Sequence, residues 1–173
     1  MTNWLAEHTL VFGTWGVLAA VLLLPALESA LPLFGALLPG QTAVVMGGML
    51  AGSDRVPLYA ALVMALAGGV LGNAVGFAAG RRWNTRLLER IPRRLLRPGH
   101  TDRALSLVQR GGGRAVFVGR FTAVLRTLVP TLCGMSGMPL RPYLVWTVLS
   151  SAVWASAFVF VGYGLGHAPL PLL

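Results

Sequence analysis

Apolar runs too long for a soluble core alternate along this chain with short breaks rich in glycine, proline and charge. Residues 10–27 form the first such run and predict a transmembrane helix, closed by Glu28. Residues 29–52 are apolar again, but Pro32, Gly35 and the Pro39-Gly40 pair disfavour one straight helix. That pattern predicts a re-entrant helical hairpin, whose non-helical tip is tolerated at depth only where it is buried in protein or lines a wet cavity. Residues 57–80 make a cleaner transmembrane span, with Pro57 suited to a first helical turn. Gly68, Gly72, Gly76 and Gly80 recur every four residues on it, so one face lets a neighbouring backbone approach closely. Residues 115–138 repeat the broken pattern, with Pro130, Gly134 and Gly137, and predict a second re-entrant hairpin. Residues 143–166 are long enough for a last transmembrane helix.

Charge orients these elements. Fourteen arginines and no lysine are present, and ten of the arginines fall between Arg81 and Arg114. Leu87, Leu88, Ile91, Leu95 and Leu96 are interspersed among them, so residues 81–114 read as short interfacial helices in a cytoplasmic loop that meets anionic headgroups. The triple glycine at 111–113 lacks the following GK[ST] of a phosphate loop and serves as a joint. With this loop inside, residues 57–80 start outside and the first hairpin dips in from the outer face. The second hairpin then dips in from the cytoplasm, and the first helix rises from a cytoplasmic N-terminus. Two units of hairpin plus span thus have opposite orientation, an inverted repeat of the kind found in secondary transporters. The fold class expected is an all-α integral membrane protein forming a single membrane domain over residues 1–173.

Composition agrees: 55% of residues are hydrophobic and 11% charged, with a mean hydropathy of +0.72. No second, soluble domain fits in 173 residues. The basic loop lies beside apolar spans and has no aromatic residue beyond Trp83, which argues against nucleic acid as a partner. No cleaved signal peptide is expected, because the first run lacks a basic flank. The lone Cys133 reads as a small packing residue. His8, His100 and His167 lie in flanks or loops, and no His, Cys or Asp cluster has ligand spacing, so neither a metal nor a cofactor is expected.

The chemistry concentrates in the second hairpin. Arg120 and Arg126 lie inside an apolar stretch, where an arginine at the bilayer centre costs roughly 2.5 to 3.5 kcal/mol on insertion scales. Two together should face a cavity, a carboxylate or an anionic ligand. On an unbroken helix they would lie about 120° apart, so they converge only if the segment bends, for which Thr127 and Pro130 are the candidates. If the hairpin tips approach each other, Glu28 and Gln41 come toward the two arginines.

On three stretches the chain resembles the DedA family of bacterial membrane proteins, whose domain is also called the VTT or SNARE-associated domain. They are Glu28 with the Leu38-Pro39-Gly40 turn, the glycine-rich run from Gly68 to Arg81, and Gly119-Arg120-Phe121 through Arg126, Pro130, Gly134, Met135, Gly137 and Met138. The resemblance implies a protein of the bacterial cytoplasmic membrane that moves lipids across the bilayer, including return of undecaprenyl phosphate to the cytoplasmic leaflet. It also implies a link to the proton gradient; eukaryotic relatives behave as phospholipid scramblases. Carried over by residue, Glu28 is the membrane carboxylate and proton-coupling group, and Arg120 and Arg126 are the paired arginines that take the lipid phosphate. Gln41 departs from the acidic residue that many members place after the Pro-Gly turn, and Phe77 stands where tyrosine is common. The family usually continues past the Gly162-Tyr163-Gly164 region into a further hydrophobic segment, whereas this chain ends at Leu173.

Arginine suits the task, because its planar fork keeps its charge and makes bidentate hydrogen bonds to phosphate oxygens. Glu28 can neutralise by taking a proton, and re-pairing with the arginines then releases the anion. Gln41, Thr127 and Pro130 support the site. Three other readings stay open. The charges can simply neutralise one another and cap broken helix ends. A small-cation/proton antiporter would use Glu28 alone, and a membrane lipid phosphatase would need a histidine nucleophile that the chain places badly, so no enzyme is expected. The number of subunits is not legible, a homo-oligomer included.

Overall fold

A computed structural model of the chain describes residues 2–31, 38–83, 111–121 and 125–168, with side chains of the first helix from Gly13 onward. Among these residues the structure is all helical, with α1 Thr2–Ala30, α2 Gly40–Gly52, α3 Leu58–Trp83, α4 Gly113–Gly119, α5 Leu125–Met135 and α6 Leu140–His167. Three stretches, Gly13–Ala30, Leu58–Arg82 and Leu140–His167, are long and apolar enough to cross a membrane. The interfacial helices expected over residues 81–114 fall largely outside the described residues.

Large apolar side chains such as Leu23, Leu71, Val75, Leu149, Phe160 and Val161 are exposed on the helix surfaces. Small and polar residues, among them Asn73, Thr147, Ser150 and Ser151, are buried. This arrangement fits helices solvated by lipid, where tight packing and internal polar contacts, rather than water exclusion, hold the helices together.

Glycine sets the approach of nearly every helix pair. On α3, a Cβ at Gly68 would overlap the carbonyl of Leu22, and one at Gly72 the carbonyl of Ala26. The same ladder continues against α5, where Gly80 meets the Thr131 carbonyl and Gly134 meets that of Phe77. Gly76 touches both Ser29 and Pro130, so the ends of α1 and α5 meet there along one face of α3. These contacts make α1, α3 and α5 run in the same direction. On the other side α2 and α6 run parallel, with Gly48 on Val159, Gly52 on Tyr163 and Gly162 on Val45.

The helices form two antiparallel pairs. Val21 of α1 faces Gly47 of α2, Pro25 and Glu28 face Gly40, and the Thr14 hydroxyl donates to the Arg55 carbonyl at 3.3 Å. In the second pair, Gly119 at the end of α4 packs on Val129 of α5, while Gly113 at the start of α4 packs on Trp146 of α6. Each pair builds a core with half of α3 and α6. One core holds Leu18, Val21, Val44, Ala61, Trp154 and Val159; the other holds Phe77, Val116, Val129, Leu132, Cys133 and Tyr143. The Tyr143 ring stacks on Phe77 at 4.3 Å between centroids, and its hydroxyl donates to the Asn73 carbonyl at 2.9 Å, which ties α6 to α3.

Two boundaries differ from the sequence expectation. Glu28 does not end the first helix: α1 continues through it to Ala30, and its last turn closes with Leu31 N–H donating to the Leu27 carbonyl, just before Pro32. A glutamate is a good helix former, whereas a proline withholds the next backbone donor. Consequently the first arm of the first pair is α1 itself, not a segment beginning at Ser29. Second, the break between the arginines comes before Thr127 and Pro130. The α4 helix stops at Gly119 and α5 begins at Leu125, with Pro130 inside it.

Candidate functional site

Glu28 sits in the last turn of α1, only 3% exposed, and faces the first residue of α2. The α2 N-terminus has no side-chain cap of its own, since its N-cap residue is Pro39. The Gly40 backbone N–H donates to the Glu28 carboxylate instead, and the absence of a Cβ at Gly40 is what lets the carboxylate in. A carboxylate at a helix N-terminus satisfies an orphan donor and complements the positive end of the helix dipole. The Pro-Gly turn therefore shapes a seat for the acid.

Arg126 enters from the opposite pair, as the second residue of α5. One guanidinium nitrogen forms an ion pair with Glu28, and Nη1 donates to the Gln41 Oε1 at 3.1 Å. The sequence expectation that the two tips bring Glu28 and Gln41 to the arginines is met geometrically, for Arg126 directly. Gln41 keeps the acceptor oxygen that an acidic residue would offer there, without the second negative charge.

Arg120 is held differently. It caps the C-terminus of α4 and is 8% exposed, yet among the described residues no carboxylate lies within ion-pair distance of it. Its guanidinium carbon sits 5.0 Å above the centre of the Trp154 ring, with Gly69 of α3 packed against the guanidinium. Two guanidinium groups and one carboxylate thus share the site, a surplus of one positive charge. The acids elsewhere in the sequence, Glu7, Asp54, Glu89 and Asp102, lie in the first turns of α1, the α2–α3 turn and the basic segment.

The arginines line two clefts. One is completed by Pro25, Glu28, Ser29 and Trp154, and the other by Asn73, Val116, Val129, Pro130 and Ser150. Free space in each is on the order of a single water molecule, so this conformation is closed to a phosphate headgroup. Thr127 is buried one residue beyond Arg126, and Pro130 lines the second cleft beneath Gly76.

Sequence reasoning missed Trp154, Asn73, Ser150, Gly69 and the seat made by Gly40. Asn73 carried a legible signal, as the one amide side chain within the span 57–80. Trp154 carried none, because a tryptophan in an apolar helix reads as core.

The fold and the site describe a multi-pass helical membrane protein in which two antiparallel helix pairs present an acid and two arginines to each other. The chain belongs to the DedA family, since the VTT domain matches residues 38–164. That match contains Gln41, Arg120, Arg126 and Pro130, and Glu28 precedes it. An uncharacterised membrane protein of Synechocystis sp. is 35% identical over 143 residues, covering 82% of this chain and 64% of that protein, just under two thirds of its length. Protein DedA of Escherichia coli K12 is 26% identical over 168 residues, covering 96% of this chain and 76% of that protein. The inner membrane protein YohD of the same organism is 30% identical over 139 residues, 80% of this chain and 71% of that protein. No solved structure matches the chain.

Proposed function

We propose that this protein is a membrane lipid transporter, a flippase that carries undecaprenyl phosphate or a related polyprenyl phosphate across the cytoplasmic membrane for recycling of the carrier lipid. The reading is carried by one observation: a buried guanidinium, Arg120, with no carboxylate partner among the described residues, beside a second arginine whose only ion-pair partner is Glu28. An uncompensated cation at membrane depth is costly unless an anion visits it. A phosphate monoester supplies the charge, the oxygens for two guanidinium forks and a tail that stays in lipid.

In this reading the α1–α2 and α4–α5 pairs are re-entrant hairpins of an inverted repeat, with the site near the bilayer midplane. The arginine asymmetry puts the Arg81 end of α3 in the cytoplasm. Because α1 runs parallel to α3, its Gly13 end then lies on the outer side, in place of the cytoplasmic N-terminus expected when residues 10–27 cross the membrane before a separate hairpin at 29–52. The α4–α5 hairpin opens to the cytoplasm. The incoming phosphate displaces Glu28 from Arg126, and a proton on Glu28 favours that exchange. When the proton leaves, the carboxylate recaptures Arg126 and expels the headgroup. No bond in the lipid is broken, so the activity is transport and not catalysis.

Flipping of fluorescently labelled polyprenyl phosphate in reconstituted vesicles tests this against its rivals. The expected result is saturable flipping of the phosphate lipid that exceeds that of labelled phosphatidylethanolamine. Equal rates for the two would identify a phospholipid scramblase, and ion-coupled proton flux without lipid movement would identify a small-cation/proton antiporter.

A further inference from the structure

We propose that Trp154, Gly69 and Ser151 form a cradle that presents the edge of the Arg120 guanidinium to the lipid phosphate, which makes Trp154 a positioning residue for headgroup recognition. The proposal rests on the phosphate-carrier reading above and adds to it the group that holds the unpaired arginine in place.

Stacking and hydrogen bonding use different parts of a guanidinium. Its flat face interacts with the negative face of an aromatic ring, and its N–H groups point outward in the plane. With its carbon 5.0 Å above the ring centre, Arg120 is within range of a cation–π contact that leaves those N–H groups free for an anion. A carboxylate in the same place would compete with the ligand, whereas an indole does not. Trp154 is itself buried, and it lines the cleft that also contains Glu28 and Arg126.

Gly69 lies against the guanidinium from α3. A Cβ there would overlap Arg120 Nη2, and only glycine leaves room for the guanidinium in this position. The Ser151 hydroxyl is next to the same spot and fully buried, and among the described residues it has no hydrogen-bond partner. Arg120 Nε likewise has none. A buried guanidinium N–H and a buried hydroxyl without partners in this part of the site call for an oxygen-rich visitor, either water or the phosphate.

Trp154 also packs on Phe158, with 5.3 Å between ring centroids, so truncation alone would confuse packing with recognition. The discriminating comparison is between Trp154→Phe and Trp154→Leu, two smaller side chains of which only the first keeps an aromatic face. Binding of dodecyl phosphate to the full chain in detergent is the measurement, with thermal unfolding of each variant as the control for folding. The Phe variant should bind at least about tenfold more tightly than the Leu variant at comparable thermal stability. Gly69→Ala, which keeps the ring but displaces the guanidinium, should weaken binding as well. Equal affinities of the Phe and Leu variants would overturn the proposal. If the Leu variant does not fold, a protein retaining Trp154 as its one tryptophan decides the matter. Its emission should shift saturably with dodecyl phosphate, and an unchanged emission at saturation would overturn the cradle. Failure of the wild-type chain to bind dodecyl phosphate at all would count against the carrier reading itself.

Discussion

Arg126→Ala is expected to cost about 3 kcal/mol or more of stability in the purified protein, while the double variant Glu28→Gln/Arg126→Gln loses much less. The Glu28 side chain is 4% exposed and that of Arg126 is 19% exposed, and the ion pair between them joins α1 to α5. Removing the arginine strands a carboxylate that then keeps, among the described residues, the Gly40 N–H, and a buried charge without its partner is penalised far more than a neutral pair. Two glutamines instead leave uncharged groups that can hydrogen-bond to each other and to Gln41. Thermal or denaturant unfolding in detergent measures the difference. Losses that simply add would show that the pair is not coupled and that α1 and α5 are held together by other contacts.

The second large effect concerns pH. In the wild type, dodecyl phosphate affinity should rise as the pH falls, because a proton on Glu28 frees Arg126 for the ligand. In Glu28→Gln the competitor is absent, so affinity should be high and should no longer rise as the pH falls. The charged groups facing Glu28 among the described residues are Arg126 and Arg120. Ligand ionisation runs the other way, since a phosphate monoester loses negative charge below a pKa of about 6. A rise in affinity toward low pH that survives Glu28→Gln would remove Glu28 from the coupling, since the ligand's own ionisation gives the opposite slope.

Much of this site could be read from residue types alone. Charged residues inside apolar runs are few, so Glu28, Arg120 and Arg126 stood out, and the broken segments on either side of residues 57–80 implied that their tips meet. The direction of α1 could not be read. A uniformly apolar run has the same pattern whichever way it crosses, and what fixes α1 parallel to α3 is contact of Gly68, Gly72 and Gly76 with the backbone of α1. Those glycines were visible as a packing face, but a packing face does not name its partner. The division of labour between the arginines was hidden for the same reason. Nothing in the spacing of Arg120 and Arg126 tells which takes the carboxylate and which the indole, because that depends on where α4 stops and on the position of α6 across the bundle.

The separation of the two roles makes Arg120 the place to test the whole account. Arg126 is bound into the fold through Glu28 and Gln41, whereas among the described residues Arg120 has no carboxylate within ion-pair distance. The decisive measurement is saturable binding of polyprenyl phosphate to the purified protein, wild type beside Arg120→Ala, with the thermal unfolding of both recorded. The account predicts that the variant unfolds within a few degrees of the wild type and binds at least about thirtyfold more weakly. Undiminished binding by a folded Arg120→Ala protein would contradict it.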